Sequence, residues 1–238
     1  MLRAILRRLV PNRTTNSVGD ESLERFHLSP PERSLRKACH IEAALTATEH
    51  LDGAVVECGV AAAWTLSVFV RALRRAGRND PVFAVDSFEG FPELSEHDAN
   101  WFDPETMKLH YKRFDVAFAR DNLIRSGLSE DEVSTVSFVK GWIPDSLRGV
   151  HGPIRVLHLD LDLYQPYADS LRMLWPQMLP GGWIIFDEYD QGEDEEKWPG
   201  AKLAIDEFLN DCGVELHRHW SGFTHVVKPE SIPIGDRL

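Results

Sequence analysis

The sequence has little of what disulfide scaffolds, zinc fingers and membrane proteins require. Its three cysteines, Cys39, Cys58 and Cys212, lie far apart in the 238 residues and form no Cys-x-x-Cys pair. Neither a disulfide framework nor a zinc-finger pattern is therefore present. No apolar run reaches the roughly 20 residues that a membrane-spanning helix needs. These absences predict a soluble protein in a reducing compartment, the cytoplasm.

Positive charge is also scarce. Lys and Arg together number 26 against 38 Asp and Glu, which gives a formal net charge of -12. An acidic chain repels phosphate backbones, so we expect no nucleic-acid partner. Hydrophobic residues make up 43% of the chain, enough to bury a core and to exclude wholesale disorder.

The first ten residues depart from the acidic trend, because Arg3, Arg7 and Arg8 alternate there with leucine and isoleucine. This pattern predicts a short basic amphipathic helix within an N-terminal extension, residues 1–28. Such a helix can lie on an anionic membrane surface or pack locally. The overall acidity favours burial against the chain's own domain or a second subunit, so we expect a homo-oligomer rather than a membrane-bound form.

From residue 29 to residue 238 strands and helices alternate in one domain. The predicted strands are residues 54–58, 81–86, 135–140, 154–160 and 182–187, with 214–219 and 223–228 as a closing antiparallel pair. The predicted helices are residues 29–50, 62–76, 103–127, 166–178 and 201–212. This alternation predicts an α/β fold with a mostly parallel sheet and helices on both faces.

Acidic residues end four of these strands: Glu57, Asp86, Asp160 and Asp187. The carboxyl ends of the strands line the ligand crevice of an open parallel sheet. The turn after the first strand, residues 57–63, carries Gly59 but lacks the later glycines of a dinucleotide-binding loop. A nucleoside without phosphates, with its ribose on Asp86, fits this turn better, and S-adenosylmethionine (SAM) is such a ligand.

A second group of acids favours a metal. Asp160 follows the fourth strand and Asp187-Glu188 follow the fifth, so three carboxylates converge if these strands are neighbours. Oxygen ligands suit Mg²⁺ or another hard divalent cation. Asp162 lies two residues beyond Asp160 and is the candidate base. The structural alternatives are helix capping for Asp162 and a loop salt bridge for Glu188.

Six segments in this order resemble the macrocin O-methyltransferase (TylF-type) family of class I SAM-dependent methyltransferases. They are Glu57-Cys58-Gly59-Val60, Asp86-Ser87-Phe88-Glu89-Gly90-Phe91-Pro92-Glu93, Lys140-Gly141-Trp142, His158-Leu159-Asp160-Leu161-Asp162-Leu163-Tyr164, Pro180-Gly181-Gly182 and Pro199-Gly200-Ala201-Lys202. The similarity extends over roughly residues 29–228. It implies a seven-stranded Rossmann-like fold, SAM, a divalent metal and methylation of a hydroxyl on a sugar or glycosylated small molecule.

The resemblance also implies roles for particular residues. The implied cofactor-binding residues are Glu57, Cys58, Gly59, Val60, Asp86, Ser87, Phe88, Gly141, Trp142 and Asp160. The implied metal ligands are Asp160, Asp187 and Glu188, with Asp162 as the base.

Two departures from the family pattern keep alternatives open. Residues 61–64 read Ala-Ala-Ala-Trp where the family has a glycine-rich continuation, and Glu188 stands where the family has Asp. The first departure motivates the alternative of a homologue that binds SAM or a glycan without turnover. A NAD(P)-dependent oxidoreductase is a further alternative, which the missing glycines and the absence of a Tyr-x-x-x-Lys pair disfavour. A catechol-like diol would suit the same metal geometry as a sugar. Histidines in or near the strands, His158, His217 and His225, are predicted to be structural.

Overall fold

The computed structural model describes residues 32–98, 103–189 and 197–230. Contacts divide the chain into two units, residues 1–35 and residues 36–238. The predicted basic helix at residues 1–10, with its membrane or subunit contact, lies outside the described residues, as does the predicted helix start at residue 29. In the described part of the chain no helix is long and apolar enough to cross a membrane.

The core of the larger unit is a seven-stranded sheet in the order β3-β2-β1-β4-β5-β7-β6. The strands are β1 Ala54–Cys58, β2 Val82–Asp86, β3 Val136–Lys140, β4 Ile154–Leu159, β5 Met178–Phe186, β6 Leu216–Arg218 and β7 Thr224–Val227. The strands β1 to β5 pair in parallel, β7 runs antiparallel to β5, and β6 pairs antiparallel with β7. The predicted Rossmann-like α/β fold is confirmed.

Helices connect the strands. They are α1 Glu32–Ala47, α2 Trp64–Arg75, α3 Pro104–Lys112, α4 Val116–Arg125, α5 Glu130–Ser134, α6 Tyr164–Leu174 and α7 Pro199–Cys212, with 3₁₀ turns at Asp145–Gly149 and Trp175–Gln177. The predicted single helix over residues 103–127 is two helices. Asp115 separates them, because its side chain accepts a hydrogen bond from the amide of Phe118 and starts α4 as an N-cap.

The central strands β1, β2 and β4 are buried along nearly their whole length, which explains why their sequences are mostly apolar. Alternate residues of the strands point to opposite sides. Val56 and Leu157 pack in one core with α6 and α7, whereas Val55, Val156 and Ile185 pack in a second core with α1, α2 and α4. This three-layer packing holds the carboxyl ends of β1, β2, β4 and β5 at one edge of the sheet.

The structure corrects the boundary before β5. We expected a helix to residue 178, then a turn at residues 180–182 and a strand from 182. In the structure α6 ends at Leu174, because Pro176 lacks the amide hydrogen that a further helical turn needs. The strand β5 begins at Met178 and contains the glycines within an irregular stretch. Ile154 of β4 pairs with Met178, whereas Val156, two residues later, pairs with Trp183.

Candidate active site

The register of the parallel strands brings the predicted acids together at the carboxyl edge. Leu159 of β4 pairs with Phe186 of β5, so the next residues, Asp160 and Asp187, are neighbours. Glu57 of β1 pairs with His158 of β4. We refer to Glu57, Asp160, Asp162, Asp187 and Glu188 as the carboxylate cluster.

The carboxylate cluster offers two sets of metal-ligating atoms within the described residues. Ligand oxygens of Asp160, Asp162 and Glu188 lie within 4.8 Å of one another, and Asp160 and Asp187 form a second such set with His158. Asp160 belongs to both sets. The predicted trio of Asp160, Asp187 and Glu188 is not one of these sets, so ligand oxygens of these three residues do not all lie within 4.8 Å of one another.

A lysine that the sequence analysis missed enters the cluster from α1. The ammonium nitrogen of Lys37 lies 3.0 Å from Oδ2 of Asp160 and 2.5 Å from Oδ1 of Asp187, and the lysine side chain is nearly buried. Burial alone would raise the pKa of Asp160, but the charges of Lys37 and His158 and the hydrogen bonds with Glu188 and Lys37 together outweigh burial and lower that pKa to about 2. Asp160 is therefore an anion at neutral pH.

Glu188 has the opposite ionisation preference. It is 1% exposed, and burial together with the charges of Asp160 and Asp187 raises its pKa well above the ordinary value. Its carboxyl group is hydrogen-bonded to Asp160 and contacts the hydroxyl of the buried Tyr167. Two carboxyl groups in hydrogen-bonding contact require a proton between them, so without a bound cation Glu188 carries it.

The backbone at Asp162 is strained. Its φ is +62°, and the amide of Leu163 donates to the carbonyl of Leu161 at 2.6 Å, which makes Asp162 the centre of a γ-turn. A γ-turn with positive φ is rare for a residue other than glycine. Strain of this kind costs about 1–3 kcal/mol and is concentrated at functional sites. The turn places the Asp162 carboxylate beside Asp160 and Glu188.

Glu57 is a buried acid with an unused acceptor. It is 1% exposed, and among the described residues its Oε2 oxygen has no hydrogen-bond partner. Burial and the nearby Asp160 raise its pKa well above the ordinary value. A buried carboxyl oxygen without a donor is costly, so this atom marks a place where a ligand donor fits.

The loop after β1 is held in contact with the loop after β4. Gly59 has φ +87°, and a Cβ there would lie 1.8 Å from the carbonyl oxygen of Asp160, so only glycine fits. Asp86 fastens the same loop from β2. Its carboxylate accepts hydrogen bonds from the amides of Val60, Ala61 and Phe88 at 2.8, 3.1 and 2.7 Å. About four acceptor positions exist on a carboxylate, so Asp86 retains limited capacity for a ribose.

The other predicted cofactor residues surround this loop. Cys58 is fully buried, and the side chain of Phe88 is 2% exposed and packs near Phe138, so Phe88 offers its loop backbone rather than its ring. The hydroxyl of Ser87 donates to the carbonyl of Gly90. Gly141 donates its amide to the carbonyl of Asp86 at 3.0 Å, and Trp142 beside it is 39% exposed.

An aromatic residue missed in the sequence, Tyr111 of α3, also faces the cluster. Burial and the charges of Asp162, Asp160 and Glu188 raise its pKa to about 12. Its ring lies 5.4 Å from that of Phe91, which is 6.1 Å from Trp198. These rings form an apolar wall beside the carboxylates. Neither Lys37 nor Tyr111 has a strand-end position or motif in the sequence that would have identified it.

A cavity of about 330 Å³ lies at the opposite, amino edge of the sheet. Its charged lining residues are paired with one another, Arg78 with Asp80 and Arg74 with Glu132. Because these charges are already satisfied, the cavity is a weaker candidate for chemistry than the carboxylate cluster.

With this geometry in view, comparison with known proteins identifies the family. Residues 34–217 match the sequence model of a family described as macrocin O-methyltransferase (TylF). The chain belongs to this family. The predicted resemblance is confirmed, and the oxidoreductase alternative falls away.

Individual relatives agree with the assignment. The chain is 39% identical over 195 residues, 76% of its own length and 71% of the relative's, to 8-demethyl-8-(2,3-dimethoxy-alpha-L-rhamnosyl)-tetracenomycin-C 4'-O-methyltransferase of Streptomyces olivaceus. It is 32% identical over 185 residues, 73% of its length and 66% of the relative's, to mycinamicin III 3''-O-methyltransferase of Micromonospora griseorubida. A structure of the O-methyltransferase NovP matches with a TM-score of 0.66 and 25% identity, covering 82% of this chain and 80% of that chain. The chain is a SAM-dependent O-methyltransferase.

Proposed function

We propose that this family member transfers the methyl group of SAM to a hydroxyl of a sugar or glycosylated small molecule, with the help of a divalent cation. The relatives named for methylation at sugar positions support the acceptor class. The observation in the structure that carries the proposal is the strained Asp162 beside Asp160 and Glu188 at the carboxyl edge.

The residues present fit SAM. The partnerless Oε2 of Glu57 suits the ammonium group of the methionine part, which would satisfy a buried acceptor with a charge-assisted hydrogen bond. The loops after β1, β2 and β3 carry the remaining predicted contacts, Gly59, Asp86 and Gly141. Asp86 holds this loop through its three contacts with backbone amides, and its remaining acceptor capacity suits the ribose hydroxyls.

The residues also fit a hard divalent cation. Asp160 and Glu188 supply oxygen ligands close together, and Glu188 needs a cation nearby to ionise. Asp187 is the third proposed ligand; its oxygen lies close to one of Asp160 and contacts Lys37. Both Mg²⁺ and Mn²⁺ are compatible with an all-oxygen ligand set.

The proposed chemistry is an in-line displacement. When bound, SAM supplies an electrophilic methyl group and the cation lowers the pKa of a hydroxyl that it coordinates. Asp162 accepts the hydroxyl proton as the oxygen–carbon bond forms and the sulfur–carbon bond breaks. Tyr111, Phe91 and Trp198 offer an apolar wall for the carbon face of the acceptor. Positioning of the two reactants supplies much of the acceleration.

The test uses labelled SAM, Mg²⁺ titration and two variants of similar shape. Asp160→Asn should weaken metal binding, so that extra Mg²⁺ partly restores its activity. Asp162→Asn should bind metal but lose about 10²–10⁴-fold in rate, which extra Mg²⁺ does not restore. Equal rescue of both variants would remove Asp162 as the base, and full activity in excess EDTA would refute the metal.

The acceptor is tested in the same assay with vicinal sugar diols and a catechol. Methylation of the sugars supports the proposal, whereas methylation of catechol alone would overturn the acceptor class. SAM binding in calorimetry without transfer to any acceptor would favour a binding homologue, the alternative that residues 61–64 motivate.

We also propose that the enzyme works in the cytoplasm on a small-molecule or glycan acceptor and as a homo-oligomer. The three cysteines are free thiols, which suits a reducing compartment. Analytical ultracentrifugation of the full chain measures the assembly state, and a monomer at micromolar concentration would contradict the oligomer.

A further inference from the structure

Lys37 lies where the carboxylate cluster needs positive charge. It comes from α1, before the first strand, and its ammonium contacts Asp160 at 3.0 Å and Asp187 at 2.5 Å. The residue is only 8% exposed. A buried lysine in this position is an alternative to a metal ion as the counter-charge of the two aspartates.

The same two aspartates are proposed metal ligands. A cation that binds both of them has to share or take over the oxygens on which Lys37 now lies. Two positive charges at the same carboxylates repel each other, and the repulsion is strong in a poorly solvated site. Lys37 and the metal therefore cannot both make their full contacts with Asp160 and Asp187.

We propose that Lys37 is a built-in counter-ion that competes with the divalent cation for Asp160 and Asp187 and is displaced when the cation binds. This inference rests on the metal site of the proposed function. It accounts for the absence of Asp187 from the set formed by Asp160, Asp162 and Glu188, because the ammonium of Lys37 contacts Asp187.

Mg²⁺ titration calorimetry of the full chain, without SAM or acceptor, tests the competition. Lys37→Met keeps the side-chain length and removes the charge, so it should bind Mg²⁺ roughly tenfold more tightly than the wild type because no ammonium has to be displaced. Lys37→Arg keeps the charge and should bind no more tightly than the wild type. Arg125→Met, which removes one positive charge from an exposed pair with Asp121, should change the affinity less than about twofold.

The outcomes separate this inference from the proposed function. Equal or weaker Mg²⁺ binding by Lys37→Met, with a wild type that does bind, overturns the competition and leaves the metal site standing. Binding by the variant alone supports the competition. No Mg²⁺ binding by either protein overturns both.

A measurement on the wild type covers the case in which Lys37→Met fails to fold. Amine-reactive labelling followed by mass spectrometry reports the accessibility of each lysine. Saturation with Mg²⁺ should raise the labelling rate of Lys37 several-fold and leave that of Lys202, which pairs with Asp206, unchanged. An unchanged rate for Lys37 in the metal-saturated enzyme contradicts displacement.

Discussion

Buried charged side chains lie at both edges of the sheet. Only at the amino edge are these charges balanced by partners of opposite sign. At the amino edge the guanidinium of the fully buried Arg155 donates twice to Asp80, at 2.6 and 2.9 Å. It also donates to Thr48 at 2.6 Å. Arg78 donates to the same aspartate at 2.8 Å. Acceptors and donors match here, which is what a structural ion pair requires.

At the carboxyl edge Lys37 contacts Asp160 and Asp187, and His158 lies near Glu57 and Asp187. Glu57 and Glu188 are buried with raised pKa values, and Glu57 has an unused acceptor oxygen. An excess of acid that the protein does not neutralise itself is costly unless a ligand neutralises it. Both edges bury charged groups. The carboxyl edge, where we propose that ligands bind, differs from the amino edge in that its charges are not balanced.

Strained backbone conformations also distinguish the carboxyl edge from the amino edge. Among the described residues the non-glycine residues with positive φ are Ala61, Ala63, Phe88 and Asp162. All four lie in loops that follow β1, β2 or β4 at the carboxyl edge. Strain of this type persists only where the surrounding structure imposes it.

Breaking the ion pair between Arg155 and Asp80 should change the stability of the protein more than any other substitution discussed below. Arg155→Met removes one of the two guanidinium groups that donate to Asp80, which breaks a buried ion pair, and should lower the free energy of unfolding by about 3–5 kcal/mol. Urea denaturation measures this loss. Arg74→Met, at an exposed pair with Glu132, is the control and should cost less than about 1 kcal/mol. SAM affinity of folded Arg155→Met should match the wild type, and a weakened affinity would contradict the separation of the two edges.

In metal-free protein, Glu57 at the carboxyl edge and Asp80 at the amino edge should contribute to the pH dependence of stability with opposite signs. Burial raises the pKa of Glu57, so its contribution to stability is complete below its ordinary value of 4.5 and is lost as pH rises through the folded pKa. Although burial opposes it, hydrogen bonds from Arg78 and Arg155 lower the pKa of Asp80. Its contribution is complete above the ordinary value of 3.8 and is lost as pH falls through the folded pKa.

Variants at these two acids expose the difference. Glu57→Gln should be more stable than the wild type at pH 8, by about 1.4 kcal/mol for each pH unit between the ordinary and the folded pKa, and no more stable at pH 4. Asp80→Asn should be less stable than the wild type at pH 8, with a difference that shrinks only once the pH falls below the ordinary value of 3.8. Thermal melts in EDTA from pH 3 to pH 8 measure both. If Glu57→Gln were less stable than the wild type at pH 8, the ionised Glu57 carboxylate would have favourable partners in the folded wild-type protein, which would contradict this prediction.

Relief of strain should have the smallest effect. Ala61→Gly places glycine at φ +42° and should stabilise the fold by up to about 1 kcal/mol, because the left-handed conformation then costs little. Ala76→Gly, at φ -78° after α2, should instead destabilise by about 0.5–1 kcal/mol through backbone entropy. Differential scanning calorimetry measures both, and equal changes would show that Ala61 is not strained.

Much of the fold was predictable because its signals are local. The strands are short apolar runs, and four of them end in an acid: Glu57, Asp86, Asp160 or Asp187. The same runs therefore identify both the strands and the carboxyl edge where we propose that ligands bind. The break between α3 and α4 and the end of α6 were missed because they depend on single residues, the N-cap Asp115 and Pro176, within otherwise helical sequence.

The contents of the site were less predictable because they depend on long-range packing. Lys37 lies 123 positions from Asp160 in the chain, on a helix whose lysine resembles any surface lysine in the sequence. The strain at Asp162 and the hydrogen bonds that Asp86 accepts from backbone amides are properties of three-dimensional loops. Pairing of strands can be inferred from order, whereas such contacts require the folded structure.

Anomalous diffraction from crystals soaked in Mn²⁺ tests the central claim most directly. The account predicts one manganese peak in the carboxylate cluster, with oxygens of Asp160 and Glu188 at coordination distance, and no peak at the amino edge by Asp80. Crystals of active enzyme that show no manganese within the cluster would contradict it.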